Sequence, residues 1–358
     1  MITRIEIDGF KSFMDFELDV PPFLVVMGEN AGGKSNLVDA LMALAGGLRR
    51  GLDPFDAGRV ESRGIPAEMF HQFEDGTRSS ELRLTVWCRG LHPDGEYRAG
   101  TLQRIARYND QRSEITTGFR LDFEPLKGDE LGPAVDEVLG WVALNLAPGQ
   151  MRERGLITDR RALDPDGSNL AAVLGRVQES ESWQGLLADA VALLPELRDL
   201  RVERGRDYWD LELKSRGSGW MSVRTASDGT LRVLAILAAA HDPEHPGVLI
   251  IDEVENGLHP SRLAELIRRL RRISQESLAS ESVRQMILTT HSPAVLSALY
   301  PEHENEVVFL STAYGPRTVE GRKIGSLRTV VEPVGGDKLP RALVRYILSA
   351  VQPMEPPL

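Results

Sequence analysis

The chain has 358 residues, with 42 Lys and Arg against 53 Asp and Glu, which gives a formal net charge of −11. Hydrophobic residues make up 42% and charged residues 27%, a composition typical of globular proteins that excludes a mostly disordered or fibrous chain. At about 100 to 200 residues per domain, the length accommodates one large or two modest domains. The acidic balance argues against a protein coated along its length with nucleic acid.

The sequence shows no membrane or secretion signal. Its longest wholly apolar run, 233–240, is far shorter than the roughly 18 to 20 residues that a membrane span needs. The first residues lack the basic-then-apolar pattern of a signal peptide, and the lone Cys88 cannot form an internal disulfide. We therefore expect a cytoplasmic protein with no membrane partner.

The N-terminal region has the pattern of a strand, a glycine-rich turn and a helix. Alternating apolar residues predict strands at 5–7 and 16–18, and the continuous apolar run 23–27 predicts a buried parallel strand. From Lys34 an apolar stripe of helical period follows, closed by Gly46-Gly47.

The period of the apolar residues then changes twice. A period of two over 81–123 predicts an antiparallel meander, with a turn at Pro93-Asp94-Gly95. Over 132–197 the period is helical, with Val142 on the first helical face and Ser168 as the N-cap of the second helix. We interpret this segment as a helical insertion.

The C-terminal half alternates helices with buried strands, which predicts a mostly parallel sheet covered by helices. The predicted strands are 200–202, 208–213, 248–251 and 286–288, and the predicted helices are 230–240 and 261–273.

The segment 28–35, GENAGGKS, fits the P-loop motif G-x-x-x-x-G-K-[ST] in full and lies between a predicted strand and a predicted helix. Glycines allow backbone N–H groups to surround phosphates. Lys34 can reach the β- and γ-phosphates, and the Ser35 hydroxyl can ligate Mg²⁺. The motif predicts binding of ATP with Mg²⁺.

Two carboxylates follow the apolar strand 248–251, at the edge where an open α/β sheet binds its ligands. Asp252 is predicted to hold Mg²⁺, and Glu253 to orient or deprotonate the attacking water.

Further motifs occur in a fixed order: SDGTLR (227–232), DEVENGLHP (252–260) and TTHSP (289–293). With the P-loop they resemble the ordered motifs of ABC-type ATPases of the RecF, SMC and OLD (overcoming lysogenization defect) branch. The opening IDGFKSF (7–13) is similar to the first strand of SMC heads. The resemblance covers roughly residues 1–45 and 220–300.

The resemblance implies an ATP molecule sandwiched between two heads, with Ser227 and Gly229 of one chain contacting the γ-phosphate bound by the other. It implies that His291 is a switch residue that senses this phosphate. A glutamine that reaches Mg²⁺ is expected in the family, and Gln72 is our candidate. The predicted nucleotide-binding residues are Gly28, Asn30, Ala31, Gly32, Gly33, Lys34, Ser35, Asn36, Ser227, Gly229 and Gln72. The predicted catalytic residues are Lys34, Glu253 and His291.

The chain departs from the family at several points. Ala31 stands where many members have glycine, and Val254 replaces the usual proline after the two acids. No heptad pattern predicts a long coiled coil, and the stretch after Gly321 is too short for the TOPRIM nuclease domain of OLD proteins. We therefore expect any nuclease to be a separate effector. The acids near the C-terminus are interpreted as loop or turn residues: Glu302, Glu304, Glu306, Glu320, Glu332 and Asp337.

We predict an α/β ABC-ATPase head with a mostly parallel sheet, an antiparallel β meander and a helical insertion. Residues 1–125 would form the N-terminal lobe, 126–200 the insertion and 201–358 the C-terminal lobe. The function expected from the resemblance is a homodimeric ATPase acting as a clamp or sensor in DNA repair or anti-phage defence, with DNA as a possible partner. The alternatives are the ATP-binding subunit of a transporter and an ATP-locked scaffold with little turnover. The basic cluster 152–161 either contacts a phosphate backbone or is a solvated face balanced by Glu153 and Asp159.

Overall fold

The computed structural model describes residues 1–46, 66–91, 97–109, 114–123, 140–245, 247–278, 283–300, 302–319, 321–334 and 343. The strands in these ranges are β1 (Ile2–Asp8), β2 (Phe16–Asp19), β3 (Phe23–Gly28), β4 (Glu81–Leu91), β5 (Tyr97–Asn109), β6 (Glu114–Phe123), β7 (Val142–Leu144), β8 (Gly155–Leu156), β9 (Leu197–Arg204), β10 (Tyr208–Ser215), β11 (Trp220–Ser222), β12 (Gly247–Ile251), β13 (Arg284–Thr290), β14 (Val307–Val319) and β15 (Arg322–Pro333).

The α-helices in the same ranges are α1 (Lys34–Gly46), α2 (Leu170–Gln178), α3 (Trp183–Leu193), α4 (Asp228–His241), α5 (Pro260–Ser277) and α6 (Leu296–Leu299). Short 3₁₀ helices are formed by Pro66–Met69, Gln150–Arg152, Val223–Thr225, Pro293–Val295 and Glu304–Glu306. The chain divides into two compact units, one of residues 1–139 and 289–358 and one of residues 140–288.

The first unit contains an antiparallel sheet in the order β2-β1-β4-β5-β6. This confirms the predicted meander, and β4, β5 and β6 pair along nearly their full length. In the same unit β3 pairs in parallel with β14, which forms a long antiparallel hairpin with β15. All six residues of β3 are buried, as its continuous apolar run predicts.

The second unit contains the parallel strands β7, β12 and β13, with β12 in the middle. A smaller antiparallel sheet pairs β10 with β8, β9 and β11. Helix α4 is apolar almost throughout and is buried from Thr230 to Ala240 apart from Arg232. Helix α5 instead buries one stripe, with Leu263, Leu266, Ile267 and Leu270 at helical spacing.

Two ion-pair clusters hold the helices of the second unit together. Asp189 of α3 accepts hydrogen bonds from Arg269 (2.6 Å) and Arg272 (2.7 Å) of α5 and lies 3.0 Å from Nε2 of His241. Beyond the end of α4, Asp242 pairs with Arg176 of α2 at 2.5 Å. Both carboxylates are about as buried as apolar core side chains, so their charges require these partners.

Several sequence predictions need correction. Val142 begins a strand and is not helical, because its backbone pairs with β12. Asn169, and not Ser168, precedes α2, and the Ser168 hydroxyl bonds to the Asp164 carboxylate instead. Glu306 is buried in a 3₁₀ helix, and Glu332 lies in β15.

The predicted turn at 93–95 and the predicted helical residues 135–139 lie outside the described residues. No helix in the described ranges is both long enough and apolar enough to cross a membrane.

Candidate nucleotide-binding site

The P-loop joins β3 to α1 in the first unit and is pressed against β14. A Cβ atom on Gly28 would lie 2.5 Å from the Leu310 carbonyl oxygen, and one on Gly32 would lie 2.9 Å from the same atom. Real Cβ atoms do not approach backbone oxygens this closely, so both positions require glycine. Gly33 and Ala31 have left-handed φ angles of 99° and 63°. Ala31 therefore adopts a conformation that disfavours side chains larger than that of glycine.

Lys34 places a buried cation inside this loop. Its Nζ atom donates to the carbonyl oxygens of Gly28 at 2.8 Å and Glu29 at 2.9 Å, and the residue is only 3% exposed. Nζ also lies 3.1 Å from Nδ1 of His291. Because an ammonium can only donate, Nδ1 accepts this bond and the ring proton resides on Nε2. The predicted phosphate-binding lysine and the predicted switch histidine are thus in direct contact.

A hydroxyl network supports the loop from the side of β15. Thr329 donates through Oγ1 to Ser12 Oγ at 2.8 Å, and its backbone N–H donates to the Ser12 carbonyl at 2.8 Å. Asn36 also donates to Ser12 Oγ, at 2.9 Å. A Cβ atom on Gly33 would lie 2.2 Å from Thr329 Oγ1. Thr329 lies more than 290 residues after the P-loop and belongs to no motif, so no local pattern in the sequence predicts its role.

The turn that contains Ser12 is fixed by neighbouring polar groups. Lys11 has a left-handed φ of 46°, and its ammonium pairs with Asp39 of α1 at 2.6 Å. His71 lies 2.6 Å from the Lys11 carbonyl through Nδ1 and 2.9 Å from Ser326 Oγ through Nε2. Burial lowers the pKa of His71, which keeps its ring neutral near pH 7. Because the Lys11 carbonyl can only accept, the neutral ring donates to it from Nδ1 and accepts from the Ser326 hydroxyl at Nε2.

Gln72, the candidate for the Mg²⁺-reaching glutamine, follows His71 in the same unit. Its backbone forms an isolated bridge with Arg78, and the residue is exposed. Its assignment stays a prediction.

The two predicted acids lie in the second unit, in a turn that follows β12. Asp252 is half-buried, and its N–H donates to the Leu144 carbonyl of β7 at 3.3 Å. Glu253 has a left-handed φ of 50°, and its Oε2 accepts from the Asn256 amide at 2.8 Å. Val254, which replaces the usual proline, is 2% exposed and anchors the turn in the core. This anchoring restricts the backbone from which the Glu253 carboxylate projects.

The signature motif also lies in the second unit, at the start of α4. Ser227 is the N-cap, and its Oγ accepts from Thr230 N at 3.2 Å. A Cβ atom on Gly229 would lie 2.6 Å from the Gly257 carbonyl oxygen. The structure therefore brings the signature motif against the turn that follows Asp252 and Glu253. The N–H groups of this helix end form a positive dipole suited to an anion.

His259 caps the next helix. Its Nδ1 lies 3.4 Å from Ser261 N and 2.9 Å from Ser261 Oγ at the start of α5. Within the described ranges, no group of three or more His, Cys, Asp or Glu residues is arranged to hold a metal on its own.

These features fit a nucleoside triphosphate with Mg²⁺. The glycine cradle that a Cβ would obstruct and the buried Lys34 ammonium suit a polyphosphate. In the first unit, Ser35 lies in the first turn of α1 and is half-buried, and its hydroxyl is an oxygen donor of the kind that Mg²⁺ prefers. In the second unit, the half-buried Asp252 carries a carboxylate, which Mg²⁺ also prefers.

Comparison with known proteins agrees with this chemistry. Residues 148–297 match the family model described as "AAA domain, putative AbiEii toxin, Type IV TA system". A stretch of 46 residues is 44% identical to the chromosome partition protein Smc of Methanocaldococcus jannaschii. This stretch covers 13% of this chain and 4% of that protein. The chain thus spans only a small part of the length of this relative.

Solved structures of SMC heads share the fold. An SMC head bound to the C-winged helix domain of ScpA matches with a TM-score of 0.61 at 13% identity, over 93% of this chain and 98% of that one. The SMC head domain from Thermotoga maritima matches with a TM-score of 0.51 at 16% identity, again over 93% of this chain and 98% of that one. An SMC head domain with an extended coiled coil, bound to the C-terminal domain of ScpA derived from Pyrococcus furiosus, matches with a TM-score of 0.54 at 13% identity. This match covers 98% of this chain and 99% of that one.

The matched family model covers residues 148–297, less than half of the chain, and supports the resemblance to AAA-type P-loop ATPases. The mixed α/β fold predicted from the sequence is confirmed by these neighbours. At these identities the structural neighbours show the fold alone.

Proposed function

We propose that this protein hydrolyses ATP in a head-to-head homodimer, as ABC-type ATPases do, and uses the resulting change of state to control a separate effector protein. The observation that carries the proposal is the complete P-loop, whose buried Lys34 ammonium contacts His291. A phosphate oxygen is a stronger acceptor for this ammonium than the loop carbonyls to which it now donates.

In the proposed reaction each residue has one role. Lys34 binds the β- and γ-phosphates, Glu253 orients the attacking water, and Asp252 and Ser35 hold Mg²⁺, which when bound neutralises charge on the phosphates. His291 accepts a hydrogen bond from Lys34 and therefore senses whether that ammonium has turned to a phosphate.

The dimer is proposed from the signature motif. Ser227 and Gly229 begin a helix whose N-terminal dipole attracts anions, and in the proposed dimer they contact the γ-phosphate held by the partner chain. ATP then acts as the link between two heads. Gln72 is proposed to reach Mg²⁺ from the first unit.

We propose a role as a nucleotide-driven clamp or sensor in DNA repair or anti-phage defence. Two of the solved SMC heads that share the fold are bound to ScpA domains, and the matched family model names a toxin. Both findings support a partner protein that responds to the state of the head.

The experiment that tests the proposal is steady-state ATP hydrolysis by the purified chain with Mg²⁺. In parallel, the molar mass of the Glu253→Gln variant is measured with and without ATP. We expect turnover in the wild type, and an ATP-dependent doubling of mass in the variant. Binding without turnover would instead favour a scaffold that ATP locks in place.

A further inference from the structure

Arg152 connects four groups on the chain around the signature motif. It donates from Nη2 to the Ala226 carbonyl at 2.9 Å and to Asp228 Oδ1 at 2.8 Å. Its Nε donates to the Arg224 carbonyl at 3.3 Å, and its Nη1 to the Pro148 carbonyl at 2.7 Å. The guanidinium therefore ties the backbone just before Ser227 to the side chain just after it.

The backbone at Arg152 is itself held in place by packing. It closes the 3₁₀ helix Gln150–Arg152, in which Met151 is fully buried. The Arg152 side chain is 26% exposed, whereas Asp228 is 66% exposed. An ion pair to so exposed a carboxylate adds little stability, so the bonds to backbone carbonyls are the larger constraint.

Only arginine has the donors for this arrangement. Its guanidinium presents five N–H groups in a rigid planar fork, while a lysine ammonium is a single point on a flexible stem. Neighbouring Arg154 makes a comparison possible, since it pairs with Asp210 at 2.7 Å in an exposed position and has no hydrogen bond to the signature segment among the described contacts.

We propose that Arg152 is a positioning residue for the signature motif, which sets Ser227 and Gly229 in the conformation that grips the nucleotide of the partner chain. The inference rests on the proposed ATP sandwich. It assigns to Arg152 a role in head pairing, distinct from contact with a phosphate backbone.

The test compares Arg152→Ala with Arg154→Ala in ATP binding, hydrolysis and ATP-dependent dimerisation, the last in the Glu253→Gln background. Because the described hydrogen bonds of Arg152 go to residues 148, 224, 226 and 228 and not to the P-loop, Arg152→Ala should bind ATP with the wild-type affinity. Loss of the charged hydrogen bonds should lower both turnover and dimerisation at least about tenfold. Arg154→Ala should match the wild type in all three.

Arg152→Lys keeps the positive charge and the packing of the aliphatic stem, so this variant should fold normally. A loss of activity in it would therefore not be caused by misfolding. Since one ammonium cannot span the carbonyls, it should remain at least about tenfold impaired. Full activity of this variant would overturn the proposal.

Mixing experiments separate positioning from general damage. If Arg152 acts only through Ser227 of its own chain, mixing Arg152→Ala with Lys34→Ala should restore part of the activity, whereas mixing it with Ser227→Arg should not. Where the mixture of Lys34→Ala with Ser227→Arg recovers activity, recovery in neither Arg152→Ala mixture would overturn the inference and leave the ATP sandwich standing. Wild-type behaviour of Arg152→Ala while Ser227→Arg is inactive would have the same consequence. Wild-type activity of Ser227→Arg would overturn both.

Discussion

The Nζ atom of Lys34 lies 3.1 Å from Nδ1 of His291, although the two residues are 257 positions apart in the chain. The contact joins the loop after β3 to the loop after β13. It gives the histidine a direct means to register where the ammonium points, since any acceptor that draws Nζ away also breaks this hydrogen bond to Nδ1.

The first prediction separates the roles of Lys34 and Glu253. Lys34→Ala should abolish ATP binding, because it removes the buried cation of the loop, whereas Glu253→Gln should bind ATP normally and lose turnover. Glutamine retains an acceptor oxygen for the Asn256 amide, so the turn should keep its conformation. Calorimetric ATP titration and a phosphate-release assay measure the two effects. Equal ATP affinity of Lys34→Ala and the wild type would refute the assignment of the loop.

The second prediction concerns completion of each site by the partner chain. Lys34→Ala and Ser227→Arg should each be inactive, but their mixture should recover part of the activity. A mixed dimer contains one site with both lesions and one with neither. The measurement is hydrolysis by mixtures whose mixed dimers are verified by differently tagged chains. Absence of recovery in verified mixed dimers would show that the sites are not shared, or that both must act together.

The third prediction concerns the close approach of Gly229 to Gly257. In an unobstructed helix turn, replacement of glycine by alanine is favourable by about 1 kcal/mol. At Gly229 the new Cβ would lie 2.6 Å from a backbone oxygen, so the signature segment or the turn must move. Gly229→Ala should therefore lose ATP-dependent dimerisation.

Gly219→Ala is the matched control, because its Cβ would meet no atom within 4 Å. It should dimerise like the wild type in the same size measurement. If the two variants behave alike, the contact between signature helix and turn has no bearing on dimerisation.

The sequence predicted the elements whose signals are local. The apolar run of β3 and the glycines of the P-loop placed strand, turn and helix correctly, and the helix predicted at 261–273 lies within α5. It did not predict that Thr329 and Ser12 support the loop, because hydrogen bonds between distant segments leave no period or motif.

Arg152 is a second residue whose role the sequence did not predict. In the sequence it belongs to a cluster of four arginines, which indicates a surface charge patch. In the structure its neighbours Arg154, Arg160 and Arg161 pair with acids, while Arg152 mainly binds backbone carbonyls. Composition alone cannot distinguish these uses of the same side chain.

The fourth prediction concerns nucleic acid. The arginines of the cluster are paired with carboxylates within the chain, so a phosphate backbone would have to compete for them. DNA binding should therefore be weak without nucleotide, and should appear in the ATP-locked Glu253→Gln form, where two heads combine their positive groups.

Fluorescence anisotropy with a labelled duplex measures this binding. Affinity should fall steeply between about 50 and 200 mM salt, because binding releases counterions from the phosphates. Binding that is insensitive to salt would contradict the electrostatic argument, and the nucleotide-free wild type at each salt concentration is the control.

The last prediction concerns the dependence of stability on pH. Burial by itself raises the pKa of Asp189, but hydrogen bonds from His241 and Arg269 outweigh it and lower the pKa to about 2. The same balance, with His245 and Arg176 as partners, lowers the pKa of Asp242 to about 2. Both carboxylates are buried, at 1% and 2% exposure, so solvent screens these interactions little.

A carboxylate with a lowered pKa in the folded state stabilises the protein above its unfolded pKa, near 3.8, and this contribution is lost as the pH falls through the folded value. A shift of nearly two pKa units corresponds to about 2 kcal/mol of unfolding free energy. The advantage of the wild type over Asp189→Asn in urea-induced unfolding should therefore be constant from pH 7 to about pH 5 and shrink by about 2 kcal/mol towards pH 2. Asp210→Asn, which removes the partner of the exposed Arg154, should cost less than about 1 kcal/mol throughout. An advantage over Asp189→Asn that is the same at pH 2 and pH 7 would show that the charge of Asp189 does not stabilise the packing of α3, α4 and α5.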